Sequence, residues 1–219
     1  MLFTQSISDE SRAKLYSYAY ALMLITIYYN IVEGLISVIF GYEDGTLSLL
    51  GFGIDSFVEV ISGIGIWHFL KRIKQKGEET RDDFEKTALK VTGTAFYFLS
   101  AGLAATAIYN VVTNHKPETT FWGIVISIIS ILAMQLLIMY KMKVGKALNS
   151  QAIIADAKCT KTCLYLSIIL LLASLGYELT NIGGIDSIGA VLIAYLSYKE
   201  GKESFEKART NKLCSCEDE

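Results

Sequence analysis

Apolar residues run along this chain in six blocks, at 15–40, 47–70, 88–112, 121–142, 147–174 and 184–198. A hydrocarbon layer about 30 Å thick needs about 20 helical residues to cross it. Inside that layer the backbone must satisfy its own polar groups, so each block predicts a helix. The pattern predicts an all-α fold, a six-transmembrane-helix bundle, whose last block is short and draws on residues before Gly184. Turns are expected at 41–46, 114–120 and 178–183, and the mixed-charge stretch 71–86 is expected to be a plain connector.

Basic residues give the bundle a direction. Arg12 and Lys14, then Lys71, Arg72, Lys74, Lys76, Arg81 and Lys86, then Lys141, Lys143 and Lys146, then Lys199, Lys202, Lys207, Arg209 and Lys212 all fall on one side, against Lys116 on the other. Cytoplasmic loops carry the excess of Lys and Arg, so both termini are expected in the cytoplasm. The resulting division is a cytoplasmic segment at 1–14, a six-helix transmembrane domain at 15–199 and a short cytoplasmic tail at 200–219, the whole lying in the cell membrane, or the inner membrane of a bacterium. Glu200, Glu203 and Glu206 interleave with Lys199, Lys202 and Lys207, which predicts a solvated helical extension past the last span. Small residues on the third block, Gly93, Ser100, Ala101, Gly102, Ala104 and Ala105, predict close helix packing within the bundle or across a homodimer formed by membrane helices.

Composition agrees: 52% of the 219 residues are hydrophobic and there is one proline, with a mean hydropathy of +0.40. A formal charge of −2 with no concentrated basic face excludes nucleic acid as a partner. The first residues lack the charged, apolar and small-residue order of a cleaved signal peptide, so the first span is expected to act as an uncleaved signal. Four cysteines form two close pairs, Cys159/Cys163 and Cys214/Cys216, neither spaced for an ordinary structural disulfide.

The second block holds the candidate chemistry. Asp55 and Glu59 lie four residues apart in an otherwise apolar run, on one helical face. Each charge at bilayer depth costs about 2.5–3.5 kcal/mol, so such a pair marks a functional site. Counted from Leu70 at about 1.5 Å per residue, Glu59 lies about 16 Å and Asp55 about 22 Å from the inner end; counted from Ala147, Cys159 lies about 18 Å and Cys163 about 24 Å deep. Glu59 is therefore expected to face Cys159, and Asp55 to face Cys163. Two hard oxygens with two soft sulfurs suit zinc or cadmium and not magnesium or calcium.

Weaker candidates surround these four. Asp156 shares the cysteine face one turn toward the cytoplasm and is a candidate entrance ligand, with Lys158 and Lys161 on the opposite face. Asn30 is placed to orient a ligand, and Glu33 either joins it or answers a lysine. His68 and His115 are expected to be solvated. Cys214 and Cys216 offer a tail that captures soft cations.

These residues resemble the membrane domain of the cation diffusion facilitator family, six-helix metal–proton antiporters. The segment Ile54-Asp55-Ser56-Phe57-Val58-Glu59 is similar to the family's acidic pair on the second helix, with Glu in place of the usual second Asp. Ala155-Asp156-Ala157-Lys158-Cys159-Thr160-Lys161-Thr162-Cys163 resembles the family's Ala-Asp-Ala-x-His-x-x-x-Asp, with Cys at both ligand positions. Gly184-Ile185-Asp186-Ser187-Ile188-Gly189-Ala190 and the stretch 30–41 are also similar to it, and the likeness covers residues 28–194. The resemblance implies a tetrahedral site of Asp55, Glu59, Cys159 and Cys163. The lack of histidine tilts the expected cargo toward thiophilic ions, and the family's usual cytoplasmic metal-binding domain has no counterpart in this sequence.

The expected function is a secondary transporter, not an enzyme, that exports a zinc- or cadmium-like divalent ion from the cytoplasm in exchange for protons. Metal and proton claim the same oxygen and sulfur atoms, which couples them. The expected partners are the metal ion, protons and the lipid bilayer; no cofactor is expected beyond the transported ion. Two other readings compete: a membrane metal-binding or scaffold protein without transport, and a thiol-disulfide oxidoreductase using Cys159 and Cys163. At i, i+4 on a helix those Cα atoms stand about 6 Å apart with parallel side chains, close to the limit for unstrained bridging.

Overall fold

A computed structural model describes residues 9–76, 83–114 and 116–210. Among these there are six helices: α1 (Asp9–Glu43), α2 (Leu47–Lys76), α3 (Asp83–Thr113), α4 (Phe121–Leu148), α5 (Gln151–Thr180) and α6 (Gly184–Thr210). His115, Cys214, Cys216 and the side chain of Cys159 lie outside the described residues. The first five helices each contain a stretch long and apolar enough to cross a membrane. The sixth does not, because charge begins at Lys199, before its apolar part is long enough.

Short connections make each helix run against its predecessor. The turns 44–46, 114–120 and 181–183 lie at one end of the bundle, here the upper end. The end of α2, the start of α3 and the α4–α5 turn lie at the other. The α4–α5 turn is only Asn149 and Ser150. Asn149 and Asn181 take the left-handed conformation (φ 50° and 55°) as C-caps, a geometry in which asparagine is second only to glycine. The backbone N–H of Ser150 donates to the carbonyl of Gly145 at 2.9 Å and finishes α4.

This turn corrects the expected helix limits. The fifth block was expected to start at 147, but α4 runs on through Lys143 and Lys146 to Leu148, and α5 starts at Gln151. Lysine is a good helix former, so basic residues there do not stop α4. The stop comes from Asn149.

α2 lies at the centre, in contact with α1, α3, α5 and α6, while α3 packs along α6 and α4 along α5. Gly53 lets α1 come close: a Cβ there would stand 2.8 Å from both the Ser37 Cβ and the Val38 nitrogen. The small-residue stripe of α3 divides. Gly93 lies against α6, 3.0 Å from the Gly201 carbonyl if given a Cβ, whereas Gly102 meets nothing within 4 Å. One buried cluster includes Leu49, Phe52, Leu103, Leu170 and Ile193, and a second at the lower end includes Met23, Phe69, Leu148 and Ile153. Large apolar side chains also stay outside, Leu179 at 83% exposure and Phe98 at 76%, as a lipid-facing surface requires.

At the upper end two helix N-termini are capped by carboxylates from neighbouring helices. Asp186 of α6 accepts the backbone N–H groups of Leu47 (2.8 Å) and Ser48 (3.1 Å) at the start of α2, together with the Ser48 hydroxyl. Glu178 of α5 accepts from the N–H of Thr120 (2.6 Å) and the hydroxyl of Thr119 (2.8 Å), just before α4. A carboxylate at these ends satisfies orphan donors and complements the helix dipole. The α2 register, and with it the height of Asp55 and Glu59, is fixed from above.

Candidate metal centre

Glu59 projects from the middle of α2 and is held from two sides. The Cys163 thiol of α5 donates to its Oε1 at 2.6 Å, and the Asn30 amide of α1 donates to its Oε2 at 3.0 Å. Asp55, one turn higher and 2% exposed, accepts from the Ser197 hydroxyl of α6 at 3.1 Å. Four helices thus meet at the two carboxylates. Asn30 Oδ1 is buried without a hydrogen-bond partner, and Cys163 is a free thiol.

The facing pairs differ from expectation. Glu59 meets Cys163, where Cys159 was expected, and Asp55 meets Ser197, where Cys163 was expected. The start of α5 at Gln151 explains the shift. Four residues amount to about 6 Å of helix, one turn, which lowers Cys163 from the level of Asp55 to that of Glu59. Cys159 stands one turn further down on α5. Among the described residues no three His, Cys, Asp or Glu side chains converge closely enough to hold a metal ion. The arrangement there is a ladder: Asp55 above, the Glu59–Cys163 pair below.

A cavity of about 80 Å³ runs from this pair toward the lower end. It has room for several waters. Its walls include Asn30, Glu59, Cys163, Asp156, Lys141 and Glu200, and it passes Phe69 and Leu89 on the way down. Asp55 is not part of the lining.

Asp156 lies on the cavity wall, in keeping with its place on the cysteine face, but it is not bare. Its Oδ2 stands 2.8 Å from the Lys141 ammonium, which also donates to the Thr160 hydroxyl at 3.0 Å. Lys161 is exposed and Lys158 half-buried. Lys141 itself lies within α4, in keeping with the expected block 121–142, and is only 1% exposed. The solvated extension expected after Tyr198 needs correcting. Glu200 and Lys207 line the cavity, and buried Lys207 pairs with Glu203 at 2.7 Å, because that face of α6 turns inward. Lys202 and Glu206 keep the exposed pairing, at 3.9 Å.

Glu33 is buried and answers no lysine: Tyr29 donates to its Oε1 at 2.8 Å and Ser56 to its Oε2 at 3.2 Å. His68 is partly buried near the lower end of α2. Ser197, Lys141 and Glu200 were missed as site residues. Their only signal was polarity in or beside an apolar block, which does not say which neighbour they meet. At the upper end Asp44 lies outside the spans; burial first, then Glu43, Glu118 and Glu178, push its carboxyl above the ordinary range.

Two comparisons bear on this geometry. The chain is 28% identical over 193 residues to an uncharacterized transporter of Methanocaldococcus jannaschii, a match that covers 86% of this chain and 67% of that protein. The family model of the cation efflux transmembrane domain matches residues 23–210, from within α1 to the end of α6. Helices of membrane-spanning length, a carboxylate pair at their centre and a match of that extent lead to one conclusion: the chain belongs to the cation efflux transmembrane-domain family and is a multi-pass membrane transporter of metal cations.

Proposed function

We propose that this protein exports a borderline or soft divalent ion, zinc or cadmium, from the cytoplasm in exchange for protons, using Asp55, Glu59, Cys163 and Cys159. The observation that carries the reading is the 2.6 Å contact between the Cys163 sulfur and Glu59 Oε1 where the cavity meets the centre of the bundle. One hard and one soft donor on different helices favour a borderline ion over magnesium or calcium. The proton between them belongs to the atoms that would bind the metal, so loading a dication must expel it. Cys159, four residues before Cys163 on α5, is the second sulfur ligand in this reading. The lower end, where α1 begins and α6 ends and where most basic residues of the described chain lie, is the cytoplasmic face in this reading. The cavity then opens the site inward, residues 15–199 form the transport domain, and exchange proceeds by rocking helices around the site.

Proteoliposomes holding the full chain, given an imposed pH gradient and screened with zinc, cadmium, mercury, copper, iron and manganese, test this. Gradient-driven flux of a thiophilic ion is expected, lost in Glu59→Ala and strongly reduced in Cys163→Ser. Binding without flux of any ion would instead identify a metal-holding scaffold.

A further inference from the structure

Lys141 works against a cation site from within the cavity wall. Its ammonium is buried in the α4 span, stands 2.8 Å from Asp156 Oδ2 and donates to Thr160 at 3.0 Å. It shares the cavity with Glu59, Cys163 and Glu200. Stability does not explain it, since replacing a buried ion pair with apolar residues of similar volume is often neutral or favourable. Nor is Asp156 available to an incoming metal while the ammonium holds it.

We propose that Lys141 is a tethered cation that competes with the transported ion, masking Asp156 and setting the affinity of the Glu59–Cys163 site. This rests on the metal site proposed above. Asp156 and Cys163 are seven residues apart on α5, two turns on one face, so an ion rising through the cavity passes the Lys141–Asp156 pair before it reaches the thiol. The fixed positive charge lowers the site's attraction for a dication and keeps it from becoming a trap. Release on the far side depends on binding that is not too tight. A lysine suits the role, because its compact charge rides on a flexible four-carbon stem and can swing aside as metal passes. The other charges facing the cavity leave Lys141 in this place: Lys207 is engaged by Glu203 at 2.7 Å, and Glu200 lies on α6 across from it.

The test is cadmium titration of the purified full-length chain in four forms: wild type, Lys141→Met, Asp156→Asn and the double variant. Lys141→Met frees Asp156 as a ligand and is expected to bind cadmium about tenfold more tightly, a shift of about 1.4 kcal/mol. Asp156→Asn leaves the ammonium unneutralised and is expected to weaken binding by about tenfold, with the double variant near wild type. Lys141→Gln removes the charge but keeps a polar side chain, is expected to tighten cadmium binding likewise, and gives a second measurement if Lys141→Met fails to fold. A purely structural pair would lower the melting temperature in both single variants, recover it in the double, and leave cadmium affinity alike in all four; that outcome overturns the proposal. Failure of wild type to bind cadmium at all would instead overturn the metal site beneath it.

Discussion

Replacing Glu59 with Gln isolates the charge of the site from its shape. The amide keeps the size of the carboxylate and can still accept from one of its two present donors, Cys163 or Asn30. What goes is one negative charge next to the cargo. Two unit charges 4 Å apart at an effective dielectric of 20 interact by about 4 kcal/mol, so a dication doubles the gain to about 8 kcal/mol, and stripping water from the ion offsets roughly half. The expected loss of cadmium or zinc affinity is then about 4 kcal/mol, roughly a thousandfold. Asn30→Ala is the control. It removes the Nδ2 donor that holds Glu59 Oε2 but leaves the charge, so only a hydrogen bond to a charged group, about 1.5–3 kcal/mol, is lost. Titration with a competing chelator at several pH values gives both affinities and the number of protons each bound metal expels. Wild type should expel about one proton more than Cys163→Ser, because the thiol carries the proton shared with Glu59. A loss below about tenfold in Glu59→Gln would refute the assignment of Glu59 as the acidic ligand.

Other predictions concern the frame that holds the site. Asp186→Ala strands the N–H groups of Leu47 and Ser48 and the Ser48 hydroxyl, and at about 1–3 kcal/mol for each buried donor it should lower thermal stability by 3 kcal/mol or more, with Asp186→Asn intermediate. Gly53→Ala pushes a Cβ to 2.8 Å from Ser37 and Val38, and should cost about 1–3 kcal/mol and weaken metal binding together, because α1 carries Asn30 away from Glu59. Asp44→Asn should raise stability at neutral pH. The raised folded-state pKa means that the native protein gains stability as pH falls through it, so the advantage of the asparagine should vanish in acid, as melting curves between pH 4 and 8 would show.

Much of the frame was legible in the sequence because membrane helices must be long and apolar throughout. Six blocks became six helices, and Asp55 and Glu59 came out on one face because i, i+4 spacing permits nothing else. The height of α5 was not legible. Lys143 and Lys146 read equally well as a basic loop or a helical turn, and the choice between them moved Cys163 by one turn, from one carboxylate to the other. Charge periodicity failed for a related reason. The pattern of Glu200, Glu203 and Lys207 shows that α6 has a polar face, but not that α2 and α5 leave a wet cavity for that face to line. A charged residue beside an apolar block is therefore ambiguous between a snorkelling surface group and a cavity wall until its neighbours are known.

That ambiguity bears on how such a transporter sets its affinity. In the proposed site the two carboxylates and two thiols decide what kind of ion is favoured. How tightly it is held depends on groups that polarity alone does not reveal: Asn30 orienting Glu59, Ser197 engaging Asp55, and Lys141 placing a positive charge on the path below. Each comes from a different helix, α1, α6 and α4. A shift of any one against α2 changes the site without touching its ligands. On the proposed mechanism metal affinity in this bundle is thus tied to helix position, as alternating access requires of a site that must bind on one side and let go on the other.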